Sequence, residues 1–524
     1  MGIAVTTAVS GATAAVGAPP GESGPANSSG GPVPTEARSS SAPAISSQLA
    51  DPRSDARPAE PGDLLARPAL PAGYALVDTV VSNTDPNLKS FDTFPDSEPS
   101  LAINGANPNE IVITGFSSSW SGNGNAAVFR STNGGSTWTK AFSVPPPTNV
   151  VPGGGCPCDQ VIDFDRSNRL LGTFLNVAGN GVDIYTGSTT NAGSAAAWRW
   201  ATKANGVAKK TDKPGMNAGD QPWLRVTRDP FTATQDNAYV GYDDFSTFQL
   251  KVSVARGSNP PIVVATRVIG AYNCAAAPCI NPGTRLAPDH RNGTVYALYQ
   301  YDTGTNANGS KRVLYGLNRS TDGGNTWSLN GSATGIIAAA GDTNQPTPKF
   351  GTVNALLGGV DAVAVDNTNG YVYVVYGSRD SSTGFNRLAI VRLVRNSSGQ
   401  LVGVSNNFLT GQVQAALPAV AVAANGTVGV LYDKFKGFNA SGHPVFSAHL
   451  AQSTDHGLTF SDVKLLAFAS PAKDNGDPRQ RVLGDYQSLR SVGNNFYGTF
   501  TANGAQFGRT TSNTDAIFVK APAR

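Results

Sequence analysis

Beyond about residue 90 the chain repeats one pattern of apolar and polar positions. A short apolar run is followed by a turn containing Asn, Asp or Gly, and then by a second run rich in Val, Tyr or Phe. "DAVAVDNTNGYVYVVYGSRD" from Asp361 and "LPAVAVAANGTVGVLYDKF" from Leu417 show it most clearly, and related segments begin at Glu98, Asp159, Asp220, Thr284 and Asp485. The runs have strand length, and each unit reads as an antiparallel hairpin buried enough to lose clean polar alternation. Successive units start roughly 55 to 75 residues apart, which leaves room for a four-stranded sheet and its loops. Repetition of such a sheet around an axis predicts an all-β propeller. Seven hairpins favour seven blades, with six as the alternative. "YALVDTVVS" from Tyr74 is expected to pair beside "DAIFVK" from Asp515, so that the two chain ends close the ring and leave no bare sheet edge.

A second repeat is superposed on the first. "STNGGSTWT" from Ser131, "STDGGNTWS" from Ser320 and "STDHGLTFS" from Ser453 each follow a hairpin at a corresponding station, after Ile111, Val295 and Val428 respectively. Ser and Asp side chains can bond to nearby backbone and Gly supplies positive φ, so these segments read as self-closing turns anchored by their aromatic residue. The pattern Ser-x-Asp-x-Gly-x-x-Trp resembles the Asp box, or bacterial neuraminidase repeat, of sialidase-type propellers. Ser320, Asp322, Gly324 and Trp327 match it fully. In Ser131, Asn133, Gly135 and Trp138 the Asp is replaced by Asn, and in Ser453, Asp455, Gly457 and Phe460 the Trp is replaced by Phe. The resemblance extends over residues 74–524 and implies a carbohydrate-active domain.

Composition narrows the field. Charged residues make up 14% of the 524, the net charge is +3, and no Lys/Arg-rich run occurs, which argues against a nucleic-acid partner. No stretch has the roughly 18 uninterrupted apolar residues of a membrane span. Residues 1–18 read as the remnant of a signal peptide or as an Ala/Gly-rich tail, and 19–72, rich in Pro, Ser, Ala and Gly, as a disordered linker. A secreted monomer is expected. The four cysteines form the close pairs Cys156/Cys158 and Cys274/Cys279. Cys274–Cys279 is a plausible local disulfide and Cys156–Cys158 is too tight, while a cross-link between the pairs stays open.

If the first strand of each hairpin lies innermost, strand starts and second-strand ends share one mouth of the central channel. That mouth then gathers Glu98, Asp159, Asp220, Asp361 and Asp485 with Asp243, Asp244, Asp302, Arg379, Asp380, Asp433 and Lys434. Such a ring suits a polyhydroxylated glycan or a cation; calcium would accept these hard oxygens, although no cofactor is required. Paired carboxylates can also serve as acid and base. The sialidase resemblance implies a Tyr nucleophile, and "GDYQSL" from Gly484 places Tyr486 in that role, with Asp220 and Asp485 handling protons. It also implies an arginine clamp on the substrate carboxylate, for which Arg291, Arg379 and Arg481 are the candidates, while Glu98, Asp159, Asp361, Asp243 and Asp244 complete the substrate-binding ring. The family's early Arg-Ile-Pro element is absent, and "EPSLAIN" with Glu98 stands in its place. An exo-acting glycoside hydrolase, a noncatalytic glycan- or protein-binding propeller and a metal-assisted polysaccharide-degrading enzyme all fit this reading.

Overall fold

The computed structural model describes residues 64, 67–79, 96–117, 120, 126–147, 150, 156–178, 181–201, 219–244, 247–271, 283–305, 311–342, 349–350, 353–354, 361–379, 386–409, 414–476, 480–509 and 513–524. Seven four-stranded antiparallel sheets form the blades of a propeller. In chain order, blades one to six span 100–143, 156–200, 219–271, 285–342, 361–408 and 415–469. A small separate hairpin joins Lys349–Phe350 to Val353–Asn354.

Blade seven combines the two ends of the domain. Ser488–Val492, Asn495–Ala502 and Asp515–Pro522 supply three strands, and Ala75–Asp78 pairs along Asp515–Pro522 with Leu76 opposite Val519. Thr79 extends the seam, its hydroxyl donating to the Ala516 carbonyl at 2.7 Å. The chain is already docked before this strand. The Gln506 amide donates to the Leu64 carbonyl, and the Arg67 guanidinium lies 4.4 Å from the Phe507 ring centroid.

The unbroken apolar runs have a simple cause. A second strand such as Asp236–Asp244 is buried at every position, because neighbouring blades cover both faces of its sheet. Blade three contributes Leu224 and Tyr242 to a core shared with Leu286 and Ala297 of blade four.

The repeated turns fall where their spacing put them. Ile111 pairs with Ser131, Val295 with Ser320 and Val428 with Ser453. In each turn the Ser hydroxyl accepts from the glycine N–H, at 2.9, 2.9 and 2.8 Å, and donates to Asn133, Asp322 or Asp455. The aromatic residue reaches further than its own blade. Trp138 lies 5.2 Å from Phe518 of blade seven, Trp327 shares a core with Tyr239 and Val254 of blade three, and Phe460 packs with Tyr373 and Ile390 of blade five. Each turn therefore clips its blade to the preceding one. The glycine is required at that seam. Gly324 has φ +84°, and a Cβ on it would overlap Val254.

Candidate active site

The innermost strands start at one end of the channel, and their entries are distorted there. Glu98, Asp159, Gln221 and Leu417 have φ of 52°, 36°, 48° and 54°, and Gly283 takes the same station with φ 46°. Register breaks between Cys158 and Gln160, Asp220 and Trp223, and Ala416 and Ala419 mark β-bulges at these points. Left-handed backbone at a non-glycine residue costs about 1 kcal/mol or more, and bulges of this kind re-aim side chains beside functional sites. Three of the five distorted positions belong to Glu98, Asp159 and Gln221, which meet at the mouth.

Asp159 lies within hydrogen-bonding reach of both the Glu98 and the Asp220 carboxyl. A bond between two carboxyls needs a proton on one of them, and the flanking groups hold it readily. Burial, followed by the charges of Asp159 and Asp485, pushes Glu98 well above the ordinary range. Burial and the Asp159 charge push Asp220 up to about 7. Asp243 lies opposite Asp220 in the sheet and is also raised, by burial and then by the Asp220 charge, with one oxygen accepting from the Gly283 N–H at 3.1 Å. Across the channel, burial pushes Asp361 up to about 7 despite Arg285 at 3.8 Å.

Blade seven closes the group. Arg481 is paired with Asp485, whose backbone N–H donates to Glu98 at 2.9 Å, and the Gln221 amide donates to the Asp485 carboxylate at 3.2 Å. Tyr486 meets Trp223 edge to face at 5.3 Å. Its phenol is raised, by burial first and then by the charges of Glu98 and Asp159, so it rests protonated.

The sequence-derived set is thus only partly assembled. Glu98, Asp159, Asp220, Asp243, Asp485, Tyr486 and Arg481 come together, and Asp361 faces them through Arg285. Asp244 turns aside to a buried ion pair with Lys251. Arg379 ends the second strand of blade five, on the mouth side, with Asn386 as its register partner. Asp433 sits on the same side in blade six, raised by burial alone. Arg291 is at the opposite end. The inner strand of blade four, Arg285–Asp289, is only five residues long, and Arg291 in the turn beyond it bonds Asp289 and the Thr368 carbonyl. The guanidinium that serves the mouth is Arg285, 4.5 Å from the Trp223 ring centroid and 5.6 Å from that of Tyr486. Arg285, Trp223 and Gln221 were missed by sequence reasoning, though all stand at the strand-entry station that pointed to the acids. Asp380, Cys274 and Cys279 lie outside the described residues, as does the side chain of Asp302. Cys158 is disulfide-bonded.

Two other arrangements bear on the chemistry. Among the described residues no group of three or more His, Cys, Asp or Glu side chains is placed to hold a metal ion. In blade six, Ser447, His449 and Asp462 are hydrogen-bonded in series at 2.8 Å each, the order of a hydrolytic triad. Ser447 is 1% exposed within its strand, so no substrate can reach its hydroxyl. That relay holds the sheet.

No protein-family model matches the chain, and no curated protein matches it. Solved structures of similar shape include a polysaccharide lyase, 9% identical with a TM-score of 0.42, over 78% of this chain and 88% of that one. An α-L-arabinofuranosidase from Fusarium graminearum is 14% identical with a TM-score of 0.37, over 71% and 95% respectively. A Hadza microbial sialidase is 11% identical with a TM-score of 0.29, over 66% and 74%. At these scores the likenesses carry no functional argument, which must come from the residues.

Proposed function

We propose that the protein is a secreted, exo-acting glycoside hydrolase of the sialidase type, working at the acidic mouth of its propeller. The observation that carries this reading is the run of carboxyls Glu98–Asp159–Asp220, with Asp220 pushed up to about 7 and Glu98 and Asp159 facing the phenol of Tyr486. Glycoside cleavage needs an acid that holds its proton at working pH, and a nucleophile or base nearby. In this scheme Tyr486 Oη attacks the anomeric carbon while its proton passes to an ionised carboxylate of the Glu98–Asp159 pair. Asp220 gives its proton to the departing glycosidic oxygen. Water then attacks the anomeric carbon, losing its proton to Asp220, while the Glu98–Asp159 pair returns its proton to the departing Tyr486 oxygen and releases the phenol.

The substrate we favour is a neutral sugar. Arg291 is at the other end of the channel, Arg481 is engaged with Asp485, and Glu98 occupies the place where the sialidase pattern has its early arginine. A substrate carboxylate would meet repulsion there. Trp223 and Tyr486 offer apolar faces suited to a sugar ring. The test is a glycan-release screen on purified protein, with and without chelator, repeated with Tyr486→Phe. Release by the parent that survives chelation and falls at least about a hundredfold in the variant supports the scheme. Chelator-sensitive release that is indifferent to Tyr486→Phe would favour the metal-assisted reading. Binding without release would leave a lectin-like propeller.

A further inference from the structure

The other end of the channel has a chemistry of its own. The far ends of the inner strands of blades one, two, three, four and seven surround a cavity of about 560 Å³. That volume lies within the range of pockets for small organic ligands. Arg225 and Arg228 enter it from blade three, Arg490 from blade seven and His290 from the turn after the inner strand of blade four. Ile103, Val226 and Val492 supply apolar wall.

Positive charge is in excess there. Arg166 is satisfied by Asp236 at 2.6 Å. Of the remaining acids, Asp163 stands 3.8 Å from Arg490 and already accepts from the backbone N–H groups of Phe164 and Val226. Asp165 is committed to Arg169. The buried Nε of Arg228 and Nη2 of Arg490 have no hydrogen-bond partner among the described residues. Burial and the neighbouring Arg490 charge hold the Arg225 guanidinium well below its ordinary value, although Asp163 opposes the shift, as expected where two cations share one carboxylate. Burial likewise lowers His290, leaving its ring neutral and within 3.1 Å of the Thr227 hydroxyl. Arg225, Arg228 and Arg490 each donate one hydrogen bond to a carbonyl, of Leu224, Arg291 and Leu101 respectively, and their remaining charge is only partly matched by Asp163, so a bound anion would offset the desolvation of these half-buried guanidiniums.

The cavity is separated from the acidic mouth. Trp223 lies between the two, with Arg285 at 4.5 Å on the mouth side and Arg225 at 4.8 Å on the cavity side. Only about 20 Å³ of free space remains beside this layer.

We propose that this basic cavity is a second binding site, for one small organic carboxylate of about monosaccharide size, held by Arg225, Arg228 and Arg490. Guanidiniums match the planar, singly charged carboxylate, and Asp163 disfavours a dianion. The cavity has room for a sugar ring behind that group, against its apolar wall. The inference is independent of whether the acidic mouth is catalytic.

Titration calorimetry with sodium D-glucuronate tests it, using D-glucose and sodium sulfate as comparison ligands. One glucuronate per chain is expected, with glucose silent and sulfate at least tenfold weaker. Arg228→Gln and Arg490→Gln should each weaken glucuronate at least tenfold, while Tyr486→Phe leaves it unchanged. If Arg490→Gln does not fold, Arg490→Lys serves, since it keeps the charge and removes the forked donor. Equal binding by parent and Arg228→Gln overturns the assignment, as does binding that Tyr486→Phe abolishes, or no glucuronate binding at all. Sulfate binding as tight as glucuronate overturns the organic-carboxylate assignment.

Discussion

The two ends of the central channel are built from the same inner strands, yet they carry opposite chemistry. At one end the strand entries are bulged, four non-glycine residues are left-handed, and carboxyls crowd until Glu98, Asp220, Asp243 and Asp361 are all pushed up. At the other the strands run out regularly into tight turns, and arginines gather. Propeller packing fixes the backbone of each strand through its blade neighbours and leaves both ends free to vary. The other end holds a left-handed Asn168 in a tight turn, but bulged, left-handed strand entries crowd the acidic end, and that asymmetry is the physical ground for placing chemistry there. The clipped turns form a third region, regular in its bonding, on the outer side of the cavity end, where Gly323 approaches Asp229 and Pro230.

The comparison breaks most visibly at Asp220. Asp220→Asn keeps the shape of the carboxyl but cannot deliver a proton, so turnover should fall by about 10²–10⁴-fold without loss of thermal stability. Normal turnover in this variant would remove the proton donor from the mouth.

Gly324→Ala probes the outer edge. Positive φ and the overlap with Val254 should together cost about 3 kcal/mol in denaturant unfolding, with turnover per folded molecule intact. Loss of turnover at full stability would mean that the clips reach the site.

The raised carboxyl also imposes a pH dependence on stability. The folded-state value for Asp220 is about 7 and the unfolded one is the ordinary value of about 4, so the favourable contribution is complete below about pH 4. It is lost as pH rises through about 7. A shift of about three units makes the Asp220 share of that decline up to about 4 kcal/mol, and Asp220→Asn should remove that share while Glu98, Asp243 and Asp361 keep theirs. An equal loss of unfolding free energy between pH 5 and pH 8 in the parent and in Asp220→Asn would place Asp220 in a solvated setting.

The smallest effect is expected at Asp322. Burial opposes ionisation there, but bonds from Thr326 and Ser320 outweigh it and hold the carboxyl below its ordinary value. Asp322→Ala should cost about 1 kcal/mol at neutral pH. The difference from the parent should shrink as pH falls below about 4 and the parent carboxyl is protonated. A constant difference down to pH 2 would show that the turn depends on shape rather than charge.

Much of the fold could be read from the chain, and the reason lies in its repetition. The spacing of Val295 to Ser320 equals that of Val428 to Ser453, and both prove to be register pairs. The closing strand was visible because an apolar run at Tyr74 had no hairpin partner nearby. The site was legible only in its acids, which recur at the strand entries. Arg285 stands where most blades have a carboxylate, so the acidic pattern hides it, whereas Arg291 stands near a strand end in the sequence. A five-residue strand separates the two, enough to send them to opposite ends of the channel. The reach of Trp138, Trp327 and Phe460 into the preceding blade could not be inferred from any local pattern, since it depends on how blades stack.

The seam of blade seven also has a consequence for biosynthesis. The Thr79 bond to Ala516 spans 437 residues, so the first strand made must wait for almost the whole chain before its partner emerges. Until then Ala75–Asp78 and the edge of the unfinished ring both present unpaired backbone. Closure is the most non-local contact in the domain and is expected to be its slowest step. A chain stalled before Asp515 would hold six complete blades and an open edge, the state most exposed to proteolysis and to pairing with another copy.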